Sequence, residues 1–202
     1  MKIIIASSKS QHKGDIASSD LNSREDLFNC REITSQIKTH FESSIVETLA
    51  PAFLRYNGVI MKSFLNKTND PSIINFAKEM ILFSSPYYGL VSFNEPIFEY
   101  KLAYTDKING KSIISLWKDS FHNFSPKEVI IDLSTKQQSL LFKSPNTIRY
   151  DFAGNYLKSA HHGKVLKGEF LNTLLLEILD KGEISEKFND KHSDFFTVFI
   201  SY

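Results

Sequence analysis

The sequence predicts an α+β fold, a mixed α/β arrangement with a central mixed sheet flanked by helices, compact in one domain over residues 1–202. Short β-branched runs such as Lys2–Ala6 and Val129–Leu133 read as strands of the buried type. Between them lie segments of helical period, the clearest being Val165–Lys181, stopped by Lys181-Gly182. Strands and helices alternate irregularly, with no internal repeat and no low-complexity tract, which favours a mixed fold over a bundle, sandwich or solenoid.

In chain order, Lys2–Ala6 is expected as a central strand followed by a polar loop to about Ser23. Ser23 then caps a helix with Asp26 three residues on, and Leu27, Phe28, Ile33, Ile37 and Phe41 recur at helical spacing. A second helix is expected over Ile45–Leu54, bent or divided by Pro51. Tyr56–Phe64 reads as a strand or tight connector around Gly58. Asp70-Pro71-Ser72 opens a helix running to Met80, with proline in its first turn, and Ile81–Phe83 is a buried strand. Ser112–Phe124 reads as a helix whose apolar stripe is Ile113, Ile114, Leu116, Trp117, Phe121 and Phe124. Val129–Leu133 is a strand, and Thr147–Phe152 alternates with Ile148, Tyr150 and Phe152 on one face. Phe195–Tyr202 is a terminal strand.

Composition narrows the function more than it defines it. Hydrophobic residues make up 42% and charged residues 23%, a globular balance rather than a disordered one. The run Ile3–Ala6 is too short for a signal-peptide core, and nothing approaches the apolar length of about eighteen residues that a membrane span needs. The expected compartment is the cytoplasm, with no membrane partner. Net charge is +1, so any basic surface must be local, as in Lys158–Lys167, which holds three lysines and two histidines without an acid. A single cysteine, Cys30, excludes an intramolecular disulfide and a cysteine-rich zinc site; a buried inert thiol is its expected state.

There is no phosphate-binding Walker loop, dinucleotide fingerprint, HExxH helix or nucleophile elbow. His161 and His162 are adjacent, so their side chains diverge and cannot readily chelate one metal; no metal and no cofactor is expected. Lys9, in IASSKSQ, follows a strand among hydroxyl residues. It suits an anion at the strand's carboxyl end, or it is a solvated loop lysine. The stretch ILFSSPYYGLVSFNEPIFEYKL, residues 81–102, poses a sharper question. It is aromatic-rich, yet Pro86, Gly89 and Pro96 interrupt it, so it is either packed core or a shaped binding surface.

Taken together, these segments resemble the YaaA family of bacterial peroxide-stress proteins. IASSKS matches an I-S-P-A-K-T-like loop, keeping Lys9 and a hydroxyl at Ser10. YNGVIM keeps Gly58 of a glycine-centred segment. SSPYYGLVSFNE and FEYKLA answer the signature L-S-G-L-Y-G-x-L-x-P-L-D and Q-P-Y-R-L-E, with Ser85, Tyr88, Gly89, Glu95, Tyr100, Lys101 and Leu102 in register. LWKD keeps Trp117 and Asp119, DLST spans Asp132–Thr135, and KVLKG keeps Lys164, Lys167 and Gly168. The chain departs from the pattern at Ser92-Phe93, at Val59 and at Asp132. It is also shorter between Lys38 and Tyr56, where the family carries a helix-hairpin-helix-like element linked with DNA binding.

The resemblance implies a compact mixed fold with a basic, tyrosine-lined cleft, and a stress-response protein that binds nucleic acid, DNA favoured. Lys9, Lys101, Lys164 and Lys167 would meet phosphates, with Ser10 in the same binding set; Ser85, Tyr88, Tyr100 and Lys101 would face the cleft, Tyr88 and Tyr100 contacting bases or packing behind them. The alternative is an enzyme acting on a nucleobase or similar nucleotide-like small molecule, with Asp132 or Glu95 as general acid or base. A third reading is a diverged homologue without cleft chemistry. With a helix starting at Val165, Lys164 and Lys167 would share its first turn, where cations oppose the dipole but suit a phosphate.

Overall fold

The computed structural model describes residues 1–9, 11–14, 31–68, 70–121, 127–152, 159–186, 188–189 and 196–200. Ser10, Cys30 and the expected start of the first helix at Ser23 lie outside these residues.

A six-stranded mixed sheet forms the centre. Strands β1 (Lys2–Ala6), β3 (Ile81–Ser85), β8 (Ile130–Asp132) and β9 (Thr147–Phe152) run parallel, in the order β9-β8-β1-β3. The antiparallel strands β4 (Gly89–Ser92) and β10 (Phe196–Ile200) close the two edges. Ile3, Ile4 and Ile5 are all fully buried, as an interior parallel strand covered on both faces requires. The interior position expected of β1 and the terminal strand β10 are thus both present.

Around the sheet lie α1 (Arg31–His40), α2 (Ala52–Arg55), α3 (Val59–Lys67), α4 (Pro71–Met80), α5 (Ile113–Ser120) and α6 (Ala160–Lys181). The Asp70 carboxylate accepts the Ser72 amide at 2.8 Å and caps α4 with Pro71 at its start, as the Asp-Pro-Ser signal predicts. Ser112 caps α5 in the same way, and Trp117 on that helix is fully buried and donates its indole N–H to the Pro86 carbonyl at 2.9 Å.

Three expectations need correction. Ile45–Leu54 is not a helix: Ile45–Pro51 is the strand β2, paired antiparallel with β5 (Pro96–Tyr100), and only Ala52–Arg55 is helical. The ladder shifts register between Val46 and Leu49, and such a bulge breaks the period of two that marks a strand. Tyr56–Phe64 is neither strand nor connector, because Gly58 is the extended cap of α3. The long helix starts at Ala160 rather than Val165, with Ser159 Oγ accepting the His162 amide at 3.1 Å. Gly163 and Gly168 lower the helical propensity of that first half and hide its beginning.

Gly168 has a packing reason to be in a helix. A Cβ there would lie 2.7 Å from Ser63 Cβ and 2.9 Å from Phe64 N, and closer still to the Ile60 carbonyl oxygen. Only a bare backbone lets α6 cross α3 at this distance.

The stretch 81–102 resolves into the β3–β4 hairpin followed by β5. Gly89 sits at φ +78°, and a Cβ there would also meet the Trp117 ring at 2.8 Å, so both backbone and packing demand glycine.

Candidate functional site

Because β1, β3, β8 and β9 are parallel, their carboxyl ends share one edge of the sheet, the position where open sheets place ligands. A cleft of about 670 Å³ lies there. Its floor is the chain leaving β1 (Ala6 to Lys9), with Pro86 after β3 and Leu133 after β8. Its walls are the start of α3, the first half of α6 and the segment Leu102–Thr105. Gly58 draws α3 onto this floor: a Cβ there would meet Ser8 Cβ at 2.6 Å.

The charge in the lining is uneven. Lys9, Lys62, Lys164 and Lys167 face the carboxylate of Asp151. Lys9, Lys62 and Lys164 are exposed, and none is in an ion pair among the described residues. Lys167 differs. Its Nζ donates to the carbonyls of Leu133 at 2.8 Å and Ser134 at 2.7 Å. Burial, aided by the Arg149 charge, lowers its pKa to about 8, against the opposing pull of Asp151 and Asp132.

Arg149 organises the group behind Lys167. Its Nη1 donates to Asp132 Oδ2 at 2.7 Å; its Nε and Nη2 hold both Asp151 oxygens at 2.9 and 2.6 Å. Burial alone would lower the guanidinium pKa, but the Asp151 hydrogen bond and the two carboxylate charges outweigh it and raise it. Asp132 is buried and also accepts the Ser134 amide at 2.8 Å, which fixes the loop whose carbonyls hold Lys167.

The tyrosines are placed differently from the sequence expectation. Tyr88 and Tyr100 are buried and do not line the cleft. Tyr88 Oη accepts the Phe98 amide at 2.9 Å. Tyr100 Oη shares hydrogen bonds of 2.8 Å with both Tyr56 Oη and Ser85 Oγ. The fully buried Ser85 therefore sits behind the cleft, not in it. Burial raises the phenol pKa of Tyr100 to about 12 and those of Tyr56 and Tyr104 as well, so all three stay neutral near neutral pH. Tyr56 and Tyr104 are the tyrosines that do line the cleft, Tyr104 bonding Ser84 Oγ at 2.7 Å.

Of the other expected site residues, Lys9, Lys164 and Lys167 converge on the cleft although they come from two ends of the chain. Lys101 is exposed outside it, its amide donating to the Ser44 carbonyl at 2.9 Å. Glu95 is buried in the β4–β5 turn, accepting the Ser92 amide at 2.9 Å, and is not in the lining either. The first-turn argument for Lys164 and Lys167 does not hold: with α6 starting at Ala160, both lie beyond the orphan amides of its N-terminus.

Sequence reading missed Lys62, because α3 was read as extended chain, and missed Arg149 and Asp151. Those two are i, i+2 on β9, opposite the face of Tyr150. A charged pair on one face of an otherwise apolar strand was the available signal.

Fold and site together define an α+β protein with a mixed sheet and a lysine-lined cleft at the carboxyl edge of its parallel strands. The particular family follows from comparison: the model of the peroxide stress protein YaaA family matches residues 10–195, and the chain belongs to that family. A UPF0246 protein of Malacoplasma penetrans is 26% identical over 96% of both chains. One from Lactobacillus johnsonii is 22% identical over 84% of this chain and 73% of its own. A third, from Rickettsia felis, is 24% identical over 57% of this chain and 52% of its own. Among the described residues no helix is long and apolar enough to cross a membrane.

Proposed function

We propose that this peroxide-stress family member acts in the cytoplasm by binding nucleic acid, DNA foremost, at the carboxyl-edge cleft. The supporting observation is the convergence of three exposed lysines, Lys9, Lys62 and Lys164, on one concavity. Such cations neutralise phosphates and release counterions, which supplies sequence-independent affinity. A cleft of about 670 Å³ admits one nucleotide unit, so an unpaired or displaced nucleotide suits it better than an intact duplex face. The aromatic edges of Tyr56 and Tyr104 offer apolar contact to its sugar or base.

An electrophoretic shift assay on single and double strands at several salt concentrations tests this. Replacing Lys9, Lys62 and Lys164 together with alanine should flatten the slope of log K against log salt by about 2 to 3 units, similarly for all sequences. Unchanged affinity and slope would refute it. A free nucleotide as the ligand, bound or chemically altered, is the second reading, favoured by the volume of the cleft, which falls within the usual range for small-molecule sites. Displacement of the strand by a mononucleotide at micromolar concentration, with weak salt dependence, would select it.

A further inference from the structure

Lys167 is the one lysine of the cleft that a phosphate-binding role explains poorly. A cation meant for phosphates gains by being solvated, and Lys9, Lys62 and Lys164 are exposed. The Lys167 amine is instead drawn back onto two backbone carbonyls, Leu133 O and Ser134 O. Those carbonyls suit a neutral amine as well as an ammonium. An –NH2 group has two N–H bonds, and two acceptors at 2.8 and 2.7 Å satisfy both. Its lone pair is then aimed along the remaining tetrahedral direction. Among the described residues no third acceptor meets this nitrogen, although its side chain lines the cleft.

We propose that Lys167 is a nucleophile that forms an imine with a phosphate-bearing aldehyde, such as an open-chain sugar phosphate, seated in the cleft. The phosphate end of this ligand rests on the reading of Lys9, Lys62 and Lys164 given above. The surroundings favour the step. The Arg149 guanidinium lies behind Lys167 and, with burial, disfavours its ammonium, an arrangement that activates lysine nucleophiles in general. At neutral pH Lys167 then holds on the order of a hundredfold more neutral amine than an ordinary lysine, its pKa being about 8.

The step balances without a further reactant. The ammonium first releases a proton to solvent. The free Nζ pair attacks the aldehyde carbon, forming the N–C bond and, after proton transfer, a carbinolamine. A solvent proton is taken up by the carbinolamine hydroxyl, the C–O bond breaks, and water leaves. The product is a protonated imine that carries the positive charge of the original ammonium.

Trapping with sodium cyanoborohydride tests the proposal on the whole protein. The probes are glyceraldehyde 3-phosphate, unphosphorylated glyceraldehyde, and an oligonucleotide carrying one abasic site. The expected result is a single reduced adduct, mapped by peptide mass spectrometry to Lys167 and formed about tenfold or more faster than at any other lysine. The phosphorylated triose or the abasic strand should react well ahead of glyceraldehyde. A preference for the strand assigns the aldehyde to damaged nucleic acid; a preference for the triose assigns it to a free sugar phosphate.

Adducts spread evenly over surface lysines in the wild-type protein would overturn the proposal, whether or not a variant folds. Equal rates with and without phosphate would overturn the ligand class. Lys167→Arg keeps the cation but cannot form an imine, so it should abolish trapping, whereas strand affinity of the wild-type protein in the shift assay is read without reductant and reports the binding proposal alone. The two proposals therefore fail separately.

Discussion

Gly168→Ala is the sharpest perturbation of the scaffold that holds the cleft. The added methyl has nowhere to go: it would lie 2.7 Å from Ser63 Cβ and 2.9 Å from Phe64 N, and nearer to the Ile60 carbonyl oxygen. Two of these neighbours are backbone atoms of α3, so no side-chain rotation relieves the overlap. The helices must separate, and overpacking of this kind costs about 1 to 3 kcal/mol. Alanine's better helix propensity returns about 1 kcal/mol, so the expected net loss is about 0 to 2 kcal/mol, with the larger value if the helices resist moving. For a chain of 202 residues each kcal/mol shifts Tm by about 2 to 4 °C. Urea unfolding should show a lower midpoint at unchanged m. Because Lys62 and Lys164 lie on the two helices being pushed apart, cleft binding should weaken together with stability. A stability above wild type by about 1 kcal/mol, the full propensity gain with no packing cost, would refute the close crossing of α3 and α6.

Tyr100→Phe should destabilise by about 1 to 3 kcal/mol, since it strips a hydrogen-bond partner from both Tyr56 Oη and Ser85 Oγ in a buried site. Denaturant titration checks this, and a shift-assay affinity equal to wild type would place the tyrosine behind the cleft rather than in contact with ligand. Lys167 carries a pH signature of definite sign. Its folded pKa, about 8, lies below the ordinary 10.5, so below pH 8 both states hold the proton and the burial penalty is full. Between pH 8 and 10.5 the unfolded chain holds more protons, and stability rises with pH. The gain is at most about 3 kcal/mol. Measured as the difference between wild type and Lys167→Met across that window, it should favour wild type increasingly. A flat difference would mean that Lys167 titrates as an exposed lysine.

What the sequence displayed of the fold was what local physics controls. The Asp70-Pro71-Ser72 cap and the stop at Gly182 are signals carried by a few adjacent residues, and each marks a real helix end. The buried isoleucines of β1 and the alternation in β9 are equally local. The failures occur where a distant partner decides. Ile45–Pro51 becomes a strand because β5 pairs with it through a bulge, and Gly163 and Gly168 stay helical because α3 packs against α6. Neither partner can be read from the residues themselves.

The candidate site divides along the same line. Lys9, Lys164 and Lys167 were legible as cations, yet spacing alone made Lys164 and Lys167 equivalent members of one helix turn. Tertiary structure separates them. Lys164 stays exposed on the wall, whereas Lys167, three residues on, is held by the end of β8 and faces the charge of Arg149 from β9. The tyrosines invert in the opposite sense. Tyr88 and Tyr100 stand out in an aromatic-rich sequence, but large amphipathic rings are also what a core uses when a hydroxyl can find a partner. Here those hydroxyls are satisfied internally, by the Phe98 amide, Tyr56 and Ser85. The charged groups that line the cleft are therefore Lys9, Lys62, Lys164, Lys167 and Asp151, while the phenols of Tyr88 and Tyr100 serve the core behind it.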